Sequence, residues 1–227
     1  MQFILLLVLK YIASLASSIG KEKKIFILIY HRVLGAPDFM REGEVDTIKF
    51  TWQMKLLGKY FNVLPLSDAL EKMRLNSLPS RAVCITFDDG YADNYLNALP
   101  ILKRYKIPAT FFIASGYLNG GRMWNDTIIE ALRQYKGEKL DLSKIHLGIF
   151  DTLTEEEKVE STNQIILKIK RLSSELREEY VDYISSFTET LPDNLMLTNE
   201  QLIGLHQSGM EIGGHTVTHP IMANTSS

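Results

Sequence analysis

One cysteine, Cys84, in 227 residues excludes a disulfide framework within the chain. It falls in the apolar run Ala82-Val83-Cys84-Ile85, where a thiol reads as a small buried hydrophobe rather than a reactive group. An excess of either charge is also lacking: 25 Lys and Arg against 27 Asp and Glu leave a formal charge of -2 and a pI near 6.2. Nucleic acid, whose phosphates select a basic face, is therefore not an expected partner, and a neutral or weakly charged substrate fits better. Nor is there an uninterrupted apolar run of bilayer length. The N-terminus is apolar from Phe3 to Leu9, is broken by Lys10, and falls just short at Ile19 of the roughly 20 residues that span a membrane. No basic residue precedes Phe3, although Ser14-Leu15-Ala16 suits a cleavage site and Lys21, Lys23 and Lys24 follow. Secretory signal, uncleaved anchor and amphipathic helix all stay open for residues 1–20, with membrane association through this segment in the last two.

The 45% hydrophobic content is enough for the core of one large domain, or of one domain with a sizeable insertion. From residue 24 the chain alternates strands with helices. Lys24 to Tyr30 is a continuous apolar run, which predicts a parallel strand buried on both faces and delivers His31 at its C-terminal end. Ile48, Trp52, Leu56 and Tyr60 recur at helical spacing over 46–61, Asn62 to Leu66 suits a short strand, and Ser67 to Met73 a short helix. Strands are predicted at 81–87, 108–114 and 210–214, with a helix over 92–105 that contains Pro100. These βαβ units favour a parallel sheet with right-handed crossovers. Residues 120 to about 195 change character: Thr154 and Glu157 form a capping-box pattern, and Ile165, Ile169, Leu172, Leu176, Tyr180 and Ile184 keep a helical period with no strand signal. The expectation is a helical insertion in a domain covering 24–227.

Two motifs stand at the ends of separate predicted strands, where sites in α/β sheets assemble. One is Thr86-Phe87-Asp88-Asp89-Gly90-Tyr91, the other His215-Thr216-Val217-Thr218-His219. Extended, four residues would hold the two histidines about 13 Å apart. Curled into a turn they approach within about 6 Å, and both imidazoles then reach a zinc ion at about 2.0–2.1 Å. Gly213 and Gly214 are expected to permit the sharp entry, and Pro220 to stop the turn at His219. Two neighbouring carboxylates repel unless a cation or proton lies between them. Asp-Gly is otherwise an ordinary turn dipeptide. The carboxylate pair and the histidine pair at two strand ends together point to a metal beside a general base.

These motifs resemble those of the polysaccharide deacetylase family, the family four carbohydrate esterases. Tyr30-His31-Arg32-Val33, Ala109-Thr110-Phe111-Phe112 and Glu211-Ile212-Gly213-Gly214-His215 extend the likeness to a subgroup acting on bacterial surface polysaccharides. The resemblance implies an α/β fold, a partial, distorted (β/α) barrel of the deacetylase type with an inserted helical segment. It implies Asp89, His215 and His219 as ligands of a divalent metal, zinc being the expected one, and Asp88 as general base. Tyr91 takes the position whose backbone amide helps hold the oxyanion. The substrate would be an N-acetylated polysaccharide that loses acetyl groups outside the cytoplasm, by a secreted or membrane-anchored protein. His31 either lines the pocket or is structural, whereas His146 and His206 have ordinary roles.

In the family the chain continues past the second motif to an Arg-containing motif, an orienting aspartate and a Leu-x-His acid, none of which occurs in residues 221–227. The chain thus looks truncated after the second motif, with about five strands where the barrel uses seven or eight. An open sheet edge would favour aggregation or pairing with another chain. Three readings follow: a metal-dependent deacetylase, a fragment that binds metal or glycan without turnover, or an interaction protein completed by a partner chain.

Overall fold

The computed structural model describes residues 24–220. The N-terminal segment whose three readings stayed open lies outside them, and no described helix is long and apolar enough to cross a membrane. In chain order, β1 (Ile25–Tyr30) is followed by a small parallel pair, β2 (Val33–Leu34) and β3 (Val45–Asp46), then α1 (Thr47–Tyr60) and β4 (Asn62–Val63). Next come α2 (Leu66–Arg74), β5 (Ala82–Phe87), α3 (Leu99–Tyr105) and β6 (Thr110–Ile113). The inserted region holds α4 (Trp124–Gln134), β7 (Lys139–Asp141), β8 (Ile149–Asp151), α5 (Glu155–Ile169) and α6 (Ser174–Ser185). After α7 (Asn199–Gln207) the chain enters β9 (Glu211–Gly214).

The main sheet is parallel throughout, in the order β1-β5-β6-β9, with β4 beside the start of β5. These are the five strands expected from the sequence, and the α/β class holds. Register places Tyr30 opposite Phe87 and Phe87 opposite Phe111. Side chains of one sheet face alternate with the other, so Val83, Ile85, Phe87 and Phe111 all meet Phe50, Met54 and Leu57 of α1 and Leu102 of α3 in one core. Phe87 stacks on Phe111 with centroids 4.7 Å apart, and Phe50 meets Tyr30 edge-on at 88°. Cys84, on the opposite face, is fully buried, and burial pushes its thiol up to about 11.

Four local expectations are corrected. β1 is not enclosed: it ends the sheet, and Phe26 and Ile29 are 41% and 62% exposed. An apolar run signals a sheet strand but not how many of its sides are covered. α1 forms, capped by the Asp46 carboxylate accepting from Lys49 N at 2.7 Å, but Ile48 and Trp52 face outward while Phe50, Met54 and Leu57 are buried. The helix over 92–105 carries a π-helical stretch at Asn94–Ala98 directly before α3. Pro100 has no N–H to donate one turn back, and a wider local turn accommodates the missing bond. Finally, the insertion is not wholly helical, since β7 and β8 form an antiparallel hairpin. Leu140 and Phe150 of that hairpin are buried with Ile128, Leu132, Ile165 and Ile184 in a second core. Three-residue strands are too short to show a period of two among helices.

Candidate metal centre and active-site cleft

The ends of four strands meet on one side of the sheet. Asp88 N donates to Tyr30 O at 2.9 Å, Ala114 N to Asp89 O at 3.1 Å and His215 N to Ile113 O at 2.9 Å. The ladder therefore continues one step past each strand and fixes where both motifs start. Asp89 then takes a left-handed backbone with φ of 75°, uncommon for a residue other than glycine. Thr216 and His219 do the same at 64° and 50°, and the Thr216 hydroxyl accepts from His219 N at 3.0 Å to close the turn.

That turn brings the two histidine rings to a centroid distance of 4.9 Å. His215 Nε2 and His219 Nε2 lie 3.5 and 3.4 Å from Asp89 Oδ1, and the three donor atoms all fall within 4.8 Å of one another. Asp89 Oδ1 is buried with no hydrogen-bond partner among the described residues. Burial pushes the Asp89 carboxyl above its ordinary value, and Asp88 adds to the rise against the pull of His219, His31 and His215. A buried, unpartnered carboxylate oxygen facing two imidazoles is what a divalent cation would satisfy. The donor set fits the metal.

The glycines before His215 act differently from the expectation. Neither Gly213 nor Gly214 needs a left-handed backbone. A Cβ on Gly213 would lie 2.6 Å from the Phe112 ring, so its role is to let that ring pack over the strand, and the bend is made at Thr216 and His219 instead. The glycine that seats the turn is Gly116, which the sequence reading missed. Its N donates to Val217 O at 2.8 Å, Ser115 N donates to Thr216 O at 3.1 Å, and a Cβ on Gly116 would meet Val217 O at 2.6 Å. Gly116→Val should keep the fold but abolish stoichiometric zinc binding in calorimetry, because the atom met first is the Val217 backbone carbonyl, which the turn itself holds in place.

Tyr91 is 3% exposed. Its hydroxyl donates to Asp126 Oδ2 at 3.1 Å, and the Arg32 guanidinium lies 4.6 Å above its ring. Burial and then the Asp126 carboxylate push the phenol well above its ordinary value, so it remains a donor. The Tyr91–Met196 bridge is made by Ala92 N to Leu195 O and Leu197 N to Gly90 O, and the Tyr91 N–H takes no part in it. Asp88 is half-buried at the same strand end, and its side chain has no hydrogen bond among the described residues.

A cleft of about 400 Å³ opens beside the triad. Asp89, Tyr91, His219 and His31 line it, together with Trp124 and Lys170 from the region between β6 and β9. Asp88 is not among the groups that line it. His31 thus falls on the pocket side of its two readings, held by Asn94 Nδ2 donating to His31 O at 2.9 Å. His146 and His206 are exposed and outside the cleft. Sequence reasoning also missed Arg32, Asp93 and Asp126, whose pairing no local pattern announces.

The sequence profile of a family described as polysaccharide deacetylase matches residues 76–227, both motifs included. The chain belongs to the polysaccharide deacetylase family. Among curated deacetylases, the poly-beta-1,6-N-acetyl-D-glucosamine N-deacetylase of Staphylococcus aureus (strain MSSA476) is 32% identical over 147 residues, 59% of this chain and 49% of that protein. The putative polysaccharide deacetylase YxkH of Bacillus subtilis (strain 168) is 35% identical over 95 residues, 41% of this chain and 33% of that one. The chain therefore spans about half the length of the Staphylococcus relatives it matches. Among solved deacetylase structures, Streptococcus pyogenes PplD in complex with acetate superposes with a TM-score of 0.52 at 20% identity, covering 91% of this chain and 62% of that one. That likeness shows a shared fold, the barrel-like α/β fold of deacetylases.

Proposed function

We propose that this chain is a metal-dependent N-acetylhexosamine deacetylase that removes acetyl groups from a polysaccharide of the poly-N-acetylglucosamine class. The observation that carries the reading is the convergence of His215 and His219 on an Asp89 carboxylate oxygen that has no hydrogen-bond partner among the described residues, beside Tyr91. Membership of the family and the substrate named for the Staphylococcus relatives support it. Two imidazoles and one carboxylate suit zinc and leave positions open to substrate. A divalent ion held there would supply positive charge to an amide carbonyl and make water a better nucleophile.

The remaining work falls to the chain's own groups. Asp88, whose carboxylate has no hydrogen bond among the described residues, takes the proton that an attacking water loses as the carbon–oxygen bond forms. The Tyr91 N–H, which has no partner among the described residues, donates to the carbonyl oxygen as that oxygen gains charge. When the carbon–nitrogen bond breaks, the leaving amine needs a proton, and His31 is the imidazole of the cleft outside the triad. The products are acetate and a free amino sugar. The resemblance to a subgroup acting on surface polysaccharides and the apolar N-terminal segment support a reaction outside the cytoplasm.

The test is acetate release from a short N-acetylglucosamine oligomer by zinc-loaded protein, run beside protein stripped with a chelator. Release is expected from the loaded protein alone, restored on adding zinc back. Stoichiometric metal binding with no acetate would overturn turnover in favour of metal or glycan binding alone.

A further inference from the structure

Asp126 stands at the first turn of α4, 35 residues after Tyr91 in sequence, with its side chain completely buried. Both of its oxygens are used. Oδ1 accepts from Arg41 Nη2 at 2.9 Å and lies 4.0 Å from Arg32 Nη1, while Oδ2 accepts from the Tyr91 hydroxyl and from Met123 N, each at 3.1 Å. The same tyrosine is held from above by Arg32, which is fixed by Asp93 at 2.8 Å. A buried carboxylate is costly unless fully paired, and an apolar residue would pack this helix end at lower cost. What an apolar residue could not do is grip a hydroxyl two residues beyond the metal-facing Asp89.

We infer that Asp126 is a positioning residue for the reaction: from the inserted helix it fixes the Tyr91 side chain and so the direction of the Tyr91 N–H. The inference rests on the deacetylase reading for what that N–H does, but not for whether Asp126 orders it. It gives the insertion a part in turnover, since α4 supplies the anchor and the sheet supplies the amide. Misplacing an oxyanion donor by a fraction of its hydrogen-bond length is expected to lower kcat while leaving substrate affinity nearly intact.

The test compares Tyr91→Phe, Asp126→Asn and the double variant as zinc-loaded full chains. Tyr91→Phe deletes only the hydroxyl and keeps the ring beneath Arg32, so it serves even if Asp126→Asn fails to fold. Expected for Tyr91→Phe is a fall in kcat of about 10- to 100-fold on the N-acetylglucosamine oligomer, with KM and zinc affinity changed less than about twofold. The double variant should be no slower than the slower single one. Amide hydrogen exchange in a peptide covering 88–92 should quicken in Tyr91→Phe, a readout that needs no turnover. Unchanged exchange at 88–92 would overturn the inference, as would an unchanged kcat in a protein that is otherwise active. Multiplicative losses in the double variant would overturn it too. A wild-type protein that releases no acetate but shows the exchange difference would sink the deacetylase reading alone.

Discussion

Asp88→Asn should retain one equivalent of zinc and an unchanged melting temperature while losing about 10²- to 10⁴-fold in the rate of acetate release. The argument begins from what the side chain does not do. The Asp88 carboxylate accepts no hydrogen bond among the described residues, so the amide neither breaks a structural contact nor leaves a partner stranded. Asp89 would lose a repelling neighbour, since the Asp88 charge adds to the upward push on the Asp89 carboxyl, and the metal site should be no weaker for it. What disappears is a free anionic acceptor at the strand end, and an amide cannot take a proton from water. Acetate release and calorimetric zinc binding on the same preparation check the prediction. A variant that turns over at the wild-type rate would remove Asp88 from the mechanism, which its place outside the cleft lining makes a pointed test.

Arg41→Met should destabilise the fold by about 3 kcal/mol, because it strips the cation from a buried charge cluster. Arg41 Nη2 donates to Asp126 at 2.9 Å and to Glu130 at 3.1 Å, and its side chain is 7% exposed. Burial alone would lower the guanidinium, but the two carboxylates overcome it and hold the group above its ordinary value. With Arg41 gone, Glu130 keeps Arg133 at 2.9 Å, whereas Asp126 keeps only the Tyr91 hydroxyl, Met123 N and the distant Arg32. The loss corresponds to a fall of about 6–12 °C in melting temperature for a chain of this size. Thermal melts of wild type, Arg41→Met and Arg41→Lys decide it: the lysine, which keeps a cation, should recover part of the loss, and no recovery would show that the charge is not what Arg41 supplies.

How much of this was legible in the sequence depends on how far apart the partners are. Thr154 and Glu157 lie three residues apart, and their capping box forms with both of its hydrogen bonds. β1, β5 and β6 were likewise legible, because each is a local apolar run. Asp89, His215 and His219 were legible for another reason: strand ends are where parallel sheets place their sites, so two distant motifs could be brought together without knowing the strand order. Asp126 and Arg41, 85 residues apart, had no such rule. Exposure was misread wherever it depends on a neighbour rather than on the residue itself, as for Phe26 at the end of the sheet and for Trp52, 63% exposed on a helix whose other face is buried. Pro100 marked an irregularity, but its sequence alone did not say whether the helix would break or widen.

Gly116 and the left-handed residues it supports bear on portability. Thr216 and His219 sit where side chains are disfavoured, at a cost on the order of 1–3 kcal/mol each. The His-x-x-x-His segment thus does not adopt its ligand-bearing shape by its own preference. The shape is imposed from outside, by Ser115 and Gly116 gripping the carbonyls of Thr216 and Val217 and by Tyr117 Oη donating to Thr218 O at 3.3 Å. A designer wishing to graft this candidate metal site onto another scaffold would therefore have to transplant, besides the strand end that bears Asp89, two loops, with residues 115–117 as the mould and 215–219 as the casting.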